Sequence, residues 1–152
     1  MTVTLEAANR LVALAQARAL AIGKPITVTV VDAGGFIVAL ARMDGARPLT
    51  PSIATAKAYT AAIMQRPSAM LKGWADSQPG FFAQVSRMGH QPIVATEGGV
   101  TIQRDGVLLG GLGIAGGFGP EDQQVCEAVL REAGYDLDFA EWNPIARKDR
   151  DG

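Results

Sequence analysis

Lys57 is the only charged residue between Thr50 and Gln65, in a run otherwise made of small, apolar and neutral polar side chains. A lone cation on such a helix is expensive to bury without a partner. Its outlets are a ligand anion, an internal Asp, or a side chain that reaches back to solvent. Arg42 and Asp44 close a strand-like run just ahead of it, and Asp32 closes an earlier one. Arg42 with Lys57 would grip a carboxylate, with Asp44 close by. Asp32 and Asp44 equally suit a plainer task, bonding the amides of turns.

His90 is the only histidine and lies in a Gly89-flanked stretch. It suits a general base or an axial ligand to haem iron. Glu97, directly before Gly98-Gly99, is a candidate acid/base partner, and Tyr59 shares a helix with Lys57 and is a candidate pocket wall. Gly98, Gly99, Gly116 and Gly117 offer backbone N–H groups for an anion cradle, the second pair leading into a helix N-terminus. The alternative for these glycines is close packing of strand on helix. GLGIAGG lacks the spacing of a dinucleotide-binding fingerprint and follows a hairpin, not a βαβ unit. No HxxH or CxxC spacing exists and Cys126 is the one cysteine, so no zinc site and no intrachain disulfide is expected. Cys126 itself reads as a small buried side chain.

These residues need elements to position them. The chain has 152 residues, 48% hydrophobic and 19% charged. That fits one folded domain, read over residues 1–135 with a C-terminal extension over 136–152. Fourteen basic and fifteen acidic residues are interspersed for a net charge of −1, with no basic stripe for nucleic acid. Low charge predicts some apolar surface buried between copies of the chain. No run is long enough to span a membrane and the N-terminus lacks a signal peptide, so a cytoplasmic location is expected.

Apolar residues at Leu5, Ala8, Val12, Ala15, Ala19 and Ile22 predict a helix over 5–22, capped by Thr4. Residues 26–32 and 36–43 predict an antiparallel hairpin around Ala33-Gly34-Gly35. Thr50 is expected to cap a helix beginning at Pro51, with alanines making one face small. A short helix is expected over 67–74 and a helical turn over 81–87. A second hairpin turns at Asp105-Gly106, with Gly110, Gly111 and Gly113 inside its Gly-rich strand. A last helix runs over 120–133, and Trp142-Asn143-Pro144 reads as extended. The fold class is α+β, two hairpins sharing one antiparallel sheet with helices packed on it.

The order of several segments resembles a known family. VVDAGG at 30–35, ARMDGA at 41–46 and ATAKAYTA at 54–61 come first. Glu97-Gly98-Gly99-Val100 is similar to the family's PGGVP segment, and DGVLLGGLGIAGG at 105–117 to its DGEVVGAIGVSGG. Glu121-Asp122 follows, as at the family's helix start. The resemblance covers about residues 5–133 and is to the GlcG/HbpS-like group, which includes the C-terminal domain of PduO-type proteins. This sequence departs from the pattern at Glu97, Thr101 and Ala115, where the family has Pro, Pro and Ser. The resemblance implies a profilin-like arrangement, an antiparallel sheet of about five strands flanked by helices, assembled into tetramers or octamers. It also implies a pocket role for Lys57, the lysine of the family's AxxKAxTA helix. Several members bind haem, and others sit beside genes for degrading small organic acids.

Three functions follow as expectations. The first is a small-ligand-binding protein, with haem as the possible cofactor and the methionines, His90, Phe81 and Phe82 as contacts. The second is an enzyme of isomerase, tautomerase, hydrolase or deaminase type on a small organic carboxylic acid. There Arg42 and Lys57 bind the carboxylate and Glu97 or His90 moves protons, with Asp44 in support. The third is an assembly subunit without a ligand.

Overall fold

A computed structural model of the chain describes residues 1–139. The expected extended segment at 142–144 lies outside them. The elements are α1 (Leu5–Ala21), β1 (Thr27–Asp32), β2 (Ile37–Arg42), α2 (Thr50–Met64), a 3-10 turn (Ser68–Leu71), α3 (Lys72–Ser77), α4 (Pro79–Val85), β3 (Gly99–Arg104), β4 (Val107–Ala115) and α5 (Gly119–Glu132). The sheet is antiparallel throughout, in the order β2-β1-β4-β3. Among the described residues it has four strands where the resemblance implied about five. On the outer side of β3 the chain instead runs as an irregular segment. There the Asp136 N–H donates to Gln103 O at 2.9 Å, and Gln103 Nε2 donates to Asp138 O at 3.0 Å.

Two layers of helix sandwich this sheet. Thr4 caps α1 by accepting the Ala7 N–H at 3.1 Å. The buried stripe of α1 is Ala8, Leu11, Ala15 and Ala19, while Leu5 and Ile22 at its ends stay exposed. That stripe packs with Val28, Val30, Ile102, Leu112 and Ile114 of the sheet and with Val125, Val129 and Leu130 of α5. The opposite face belongs to α2. Strand β1 therefore has two buried faces, which its alternating threonines and valines divide. Thr27 bonds Thr50 at 2.8 Å and Thr29 bonds Thr55 at 3.2 Å across to α2. Val28 and Val30 face α1 and α5.

Thr50 is not the cap of α2. Its hydroxyl donates to Arg47 O at 2.7 Å and meets Thr27, so it sits inside the first turn and Leu49 takes the cap position. The start of α4 also differs from expectation. Pro79 opens the helix two residues ahead of the helical turn expected over 81–87, as its missing N–H permits.

α2 lies unusually close to β4. A Cβ at Gly111 would run into the carbonyl oxygen of Ala58, and one at Gly113 into that of Ala54. Glycine is required there because helix backbone occupies the space a side chain would need. We expect Gly113→Ala to destabilise the protein by about 2–3 kcal/mol. For a chain of this length that is about 5–10 °C in Tm. Gly73→Ala, where an added Cβ meets nothing within 4 Å, should leave Tm unchanged or raise it, and thermal denaturation of the two variants checks the contrast.

Candidate functional site

The expected site residues fall into three groups, because Lys57 and Tyr59 leave α2 on opposite sides. At the first, Lys57 is buried and points at the junction of β3, β4 and α5. Its Nζ donates to Ile114 O at 2.8 Å and to Asp122 Oδ2 at 3.1 Å, with the two side chains 5% and 4% exposed. Of the outlets open in the sequence, the internal Asp is the one taken. The other Asp122 oxygen accepts the Gly117 N–H at 3.0 Å. Burial raises the Asp122 carboxyl above its ordinary value, and the Lys57 ammonium pulls it back part of the way.

The glycines of this group carry the packing. Gly98 has φ +108°, and a Cβ there would come within 2.8 Å of Lys57 Nζ. Its N–H donates to Gln123 Oε1 at 2.9 Å, and the Gly99 N–H to Ser68 Oγ at 3.0 Å. With Gly117 bonded to Asp122, three of the four expected cradle residues have their amides engaged inside the protein. Gly116 takes φ +135° where a Cβ would strike the backbone at Pro25 and Ile26. This is the close-packing alternative for the glycines, not an open anion cradle. Cys126 completes the group, its thiol donating to Gly98 O at 3.3 Å, and burial pushes that thiol far up. Glu97 lies at the rim, where a Cβ at Gly119 would be 3.1 Å from its Oε2. It faces an open cleft of about 480 Å³ lined also by Ala69, Lys72, Ala95 and Thr96.

Arg42 and Asp44 form the second group, both exposed at the far end of β2. Arg42 opposes Thr27, and Thr27 opposes Ala115. Arg42 thus stands two strands, about 10 Å, from where Lys57 meets β4. The two cations do not converge on one carboxylate within a single chain, because Lys57 turns inward to Asp122. Asp32 does what turn aspartates do, accepting the Gly34 N–H at 2.9 Å and the Phe36 N–H at 3.0 Å.

The third group joins Tyr59 and His90. Residues 89–99 wrap over α2, with Gly89 against the Tyr59 hydroxyl, the Val94 N–H on Thr60 Oγ1 at 3.0 Å and Gly98 beside Lys57. The wrap places His90 flat on Phe36, ring centroids 4.4 Å apart and planes 7° from parallel, and edge-on to Tyr59 at 4.7 Å. His90 Nε2 is 3.1 Å from Gly35 O. A carbonyl only accepts, so Nε2 must carry the proton and neutral His90 keeps its lone pair on Nδ1. A side chain at Gly35 would collide with the Tyr59 ring at 2.6 Å, so the turn needs glycine to let the ring pass. Beside His90 is a cleft of about 280 Å³ lined by Ser86, Arg87, Gly89, Gln91 and Pro92. Sequence reasoning missed Phe36 and the partnership of Gly35 with His90, since nothing local links positions 55 residues apart. It noted Asp122 only as an acid in a first helical turn.

Two predictions follow from the buried pair. Lys57→Met or Asp122→Leu alone should cost about 3–5 kcal/mol, and the double variant much less than the sum, as read from urea denaturation. The second concerns pH. A raised folded value means the folded state holds the Asp122 proton more tightly than the unfolded chain does. That contribution to stability is full below pH 3.8 and is lost as pH rises through the raised value. The stability of the protein relative to Asp122→Asn should therefore fall as pH rises just above 3.8; a rise there contradicts the assignment.

A family model described as haem degrading protein HbpS-like matches residues 3–131. The 15.0 kDa protein of the dhaT-dhaS intergenic region of Citrobacter freundii is 32% identical over 130 residues, covering 85% of this chain and 90% of that one. The crystal structure of protein ORFY of Klebsiella pneumoniae superposes with a TM-score of 0.80 at 26% identity, over 91% of this chain and 94% of the other. That of the PduOC:heme complex does so at 0.79 and 27%, over 90% of this chain and 98% of the other. With the α+β sheet, the glycine contacts of α2 and the Lys57 helix all in place, this chain belongs to the HbpS-like family.

Proposed function

We propose that this protein binds haem, or a flat ligand of the same kind, at the cleft beside His90. The observation that carries the reading is the seat of the imidazole, Nε2 3.1 Å from Gly35 O and the ring stacked on Phe36. Nε2–H is anchored on a backbone carbonyl, and Phe36 and Tyr59 fix the ring plane. Metal-binding histidines are held this way, with the second ring nitrogen bonded to a carbonyl so that the first presents its lone pair. Nδ1 is then the donor atom. The donor set fits a single axial bond to iron; among the described residues no group of three metal-ligating side chains occurs that would suit a bare ion.

The surroundings suit a large flat ligand held at the surface. The cleft of about 280 Å³ is too small to enclose one. Phe36, stacked on His90 and 61% exposed, adds an open apolar face beside it. Arg87 in the cleft wall provides a cation for an acidic substituent. When bound, haem supplies a redox-active iron and an absorbance band that reports its ligand. Family membership and the solved haem complex of PduOC support the same reading. The alternative of an enzyme on small carboxylic acids would draw on Lys57, which here already has Asp122 as its partner.

Haemin titration followed at the Soret band is the test. Saturable binding is expected, weakened at least tenfold in His90→Ala and retained in Glu97→Gln. Saturable binding of equal strength in His90→Ala would refute the assignment.

A further inference from the structure

The cleft at Glu97 has no part in holding a ligand on His90. Its volume is about 480 Å³, and Ala69, Lys72, Ala95, Thr96 and Glu97 line it. Small-molecule sites fall in the range of about 300–1,000 Å³. Opposite charges stand in its walls. Lys72 comes from the start of α3, and Thr96 and Glu97 come from the segment that crosses α2. Ala69 and Ala95 have side chains too small to fill the space.

Glu97 is a carboxylate held in place without a counter-charge. It is half-buried, and among the described residues no ion pair or hydrogen bond engages its side chain. The backbone on either side of it is pinned. Thr96 O accepts the Ser68 hydroxyl, the Gly98 N–H donates to Gln123 Oε1 at 2.9 Å, and Gly98 O accepts the Ile114 N–H at 2.9 Å. Gly119 makes room for the carboxylate, since a Cβ there would come within 3.1 Å of Glu97 Oε2. The group is thus set before a ligand arrives, which removes part of the cost of binding. Withdrawing a carboxylate from water without a partner costs solvation, and a cation in the cleft would recover it.

Lys72 offers the opposite charge. Its Nζ donates to Asp76 Oδ2 at 2.9 Å, with both side chains well exposed. An exposed ion pair of this kind contributes little, so the ammonium is free to turn to a better anion. Lys72 and Glu97 form no ion pair with each other.

We propose that this cleft binds a small amino acid, its ammonium on Glu97 and its carboxylate on Lys72. Both contacts are charge-assisted hydrogen bonds. A simple amine would leave Lys72 unanswered, and a simple carboxylate would meet Glu97 with like charge. A zwitterion satisfies both walls. A bare metal ion is poorly served, because among the described residues no three ligating side chains gather. The acidic wall is particular to this chain, since the family pattern has an uncharged proline where Glu97 stands. Nothing in the proposal rests on the haem reading, as His90 lines a different cleft.

The test is a titration of the nitrogen-15-labelled protein with glycine, β-alanine and γ-aminobutyrate, which step the distance between the two charges. n-Butylamine and butyrate, with one charge each, are the controls. At least one of the amino acids should shift the amide signals of Lys72, Thr96 and Glu97 saturably and leave the ring signals of His90 in place. Binding should fall at least tenfold in Glu97→Gln and in Lys72→Met, with native circular dichroism in both. Each control should bind at least tenfold more weakly than the amino acid. No saturable shift from any amino acid overturns the site, as does undiminished binding in Glu97→Gln. n-Butylamine binding as tightly as the amino acid overturns the role of Lys72, and butyrate doing so overturns that of Glu97. Shifts centred on His90 put the ligand in the other cleft and overturn the proposal as well.

Discussion

The seating of α2 on bare backbone of β4 is the constraint from which the rest of the structure follows. Gly111 and Gly113 let the carbonyls of Ala58 and Ala54 approach where side chains would normally hold them off. At that separation the middle of α2, Ala54 to Ala62, is buried on every side. The alanines take the sheet side, Lys57 is driven into the β3–β4–α5 junction, and Tyr59 emerges beside the β1–β2 turn. A lysine driven inward must find a counter-charge, and Asp122 at the start of α5 supplies it. The ion pair therefore ties the helix of one layer to the helix of the other through the sheet. Its worth lies less in net stability than in fixing where the Gly98 and Gly117 loops run, since removing either partner strands a buried charge.

The same seating explains why a chain segment crosses over the outside of α2. With its sheet side filled, the helix still has Thr60 to bury, and the segment over 89–99 bonds it through the Val94 N–H. The crossing has a polar end and an aromatic end. At one, Gly98 and Gly99 lock onto Gln123 and Ser68. At the other, Gly89 and His90 close on Tyr59 and Phe36. Glu97 and His90 are close in sequence, yet they serve different clefts because the segment spans the helix between them.

Much of this was legible in the sequence. Periodicity located the helices and hairpins, Asp105-Gly106 marked its turn, and the buried-lysine argument predicted that Lys57 needs a partner. What stayed hidden was choice among long-range partners. No local pattern distinguishes Asp122 from Asp32 or Asp44 as the counter-ion, and Asp122 is 65 residues away. The glycines pointed correctly to close approach but also to an anion cradle, and only the hydrogen bonds of their amides separate the two. The fifth strand came from resemblance alone, and here an irregular segment occupies the outer side of β3. Thr50 looked like a cap because caps are read locally, while its hydroxyl is claimed by Thr27 across the layer.

The central claim is that the fold holds His90 with its proton on Nε2 and a free lone pair on Nδ1. Nitrogen-15 correlation spectra of the imidazole ring test it most directly, since the protein has a single histidine. At a pH where the ring is neutral, the account predicts one unaveraged form. In it Nε2 shows the shift of a protonated nitrogen and Nδ1 that of an unprotonated one. A ring protonated on Nδ1, or one averaging between both forms, would contradict it and leave the cleft without its donor atom.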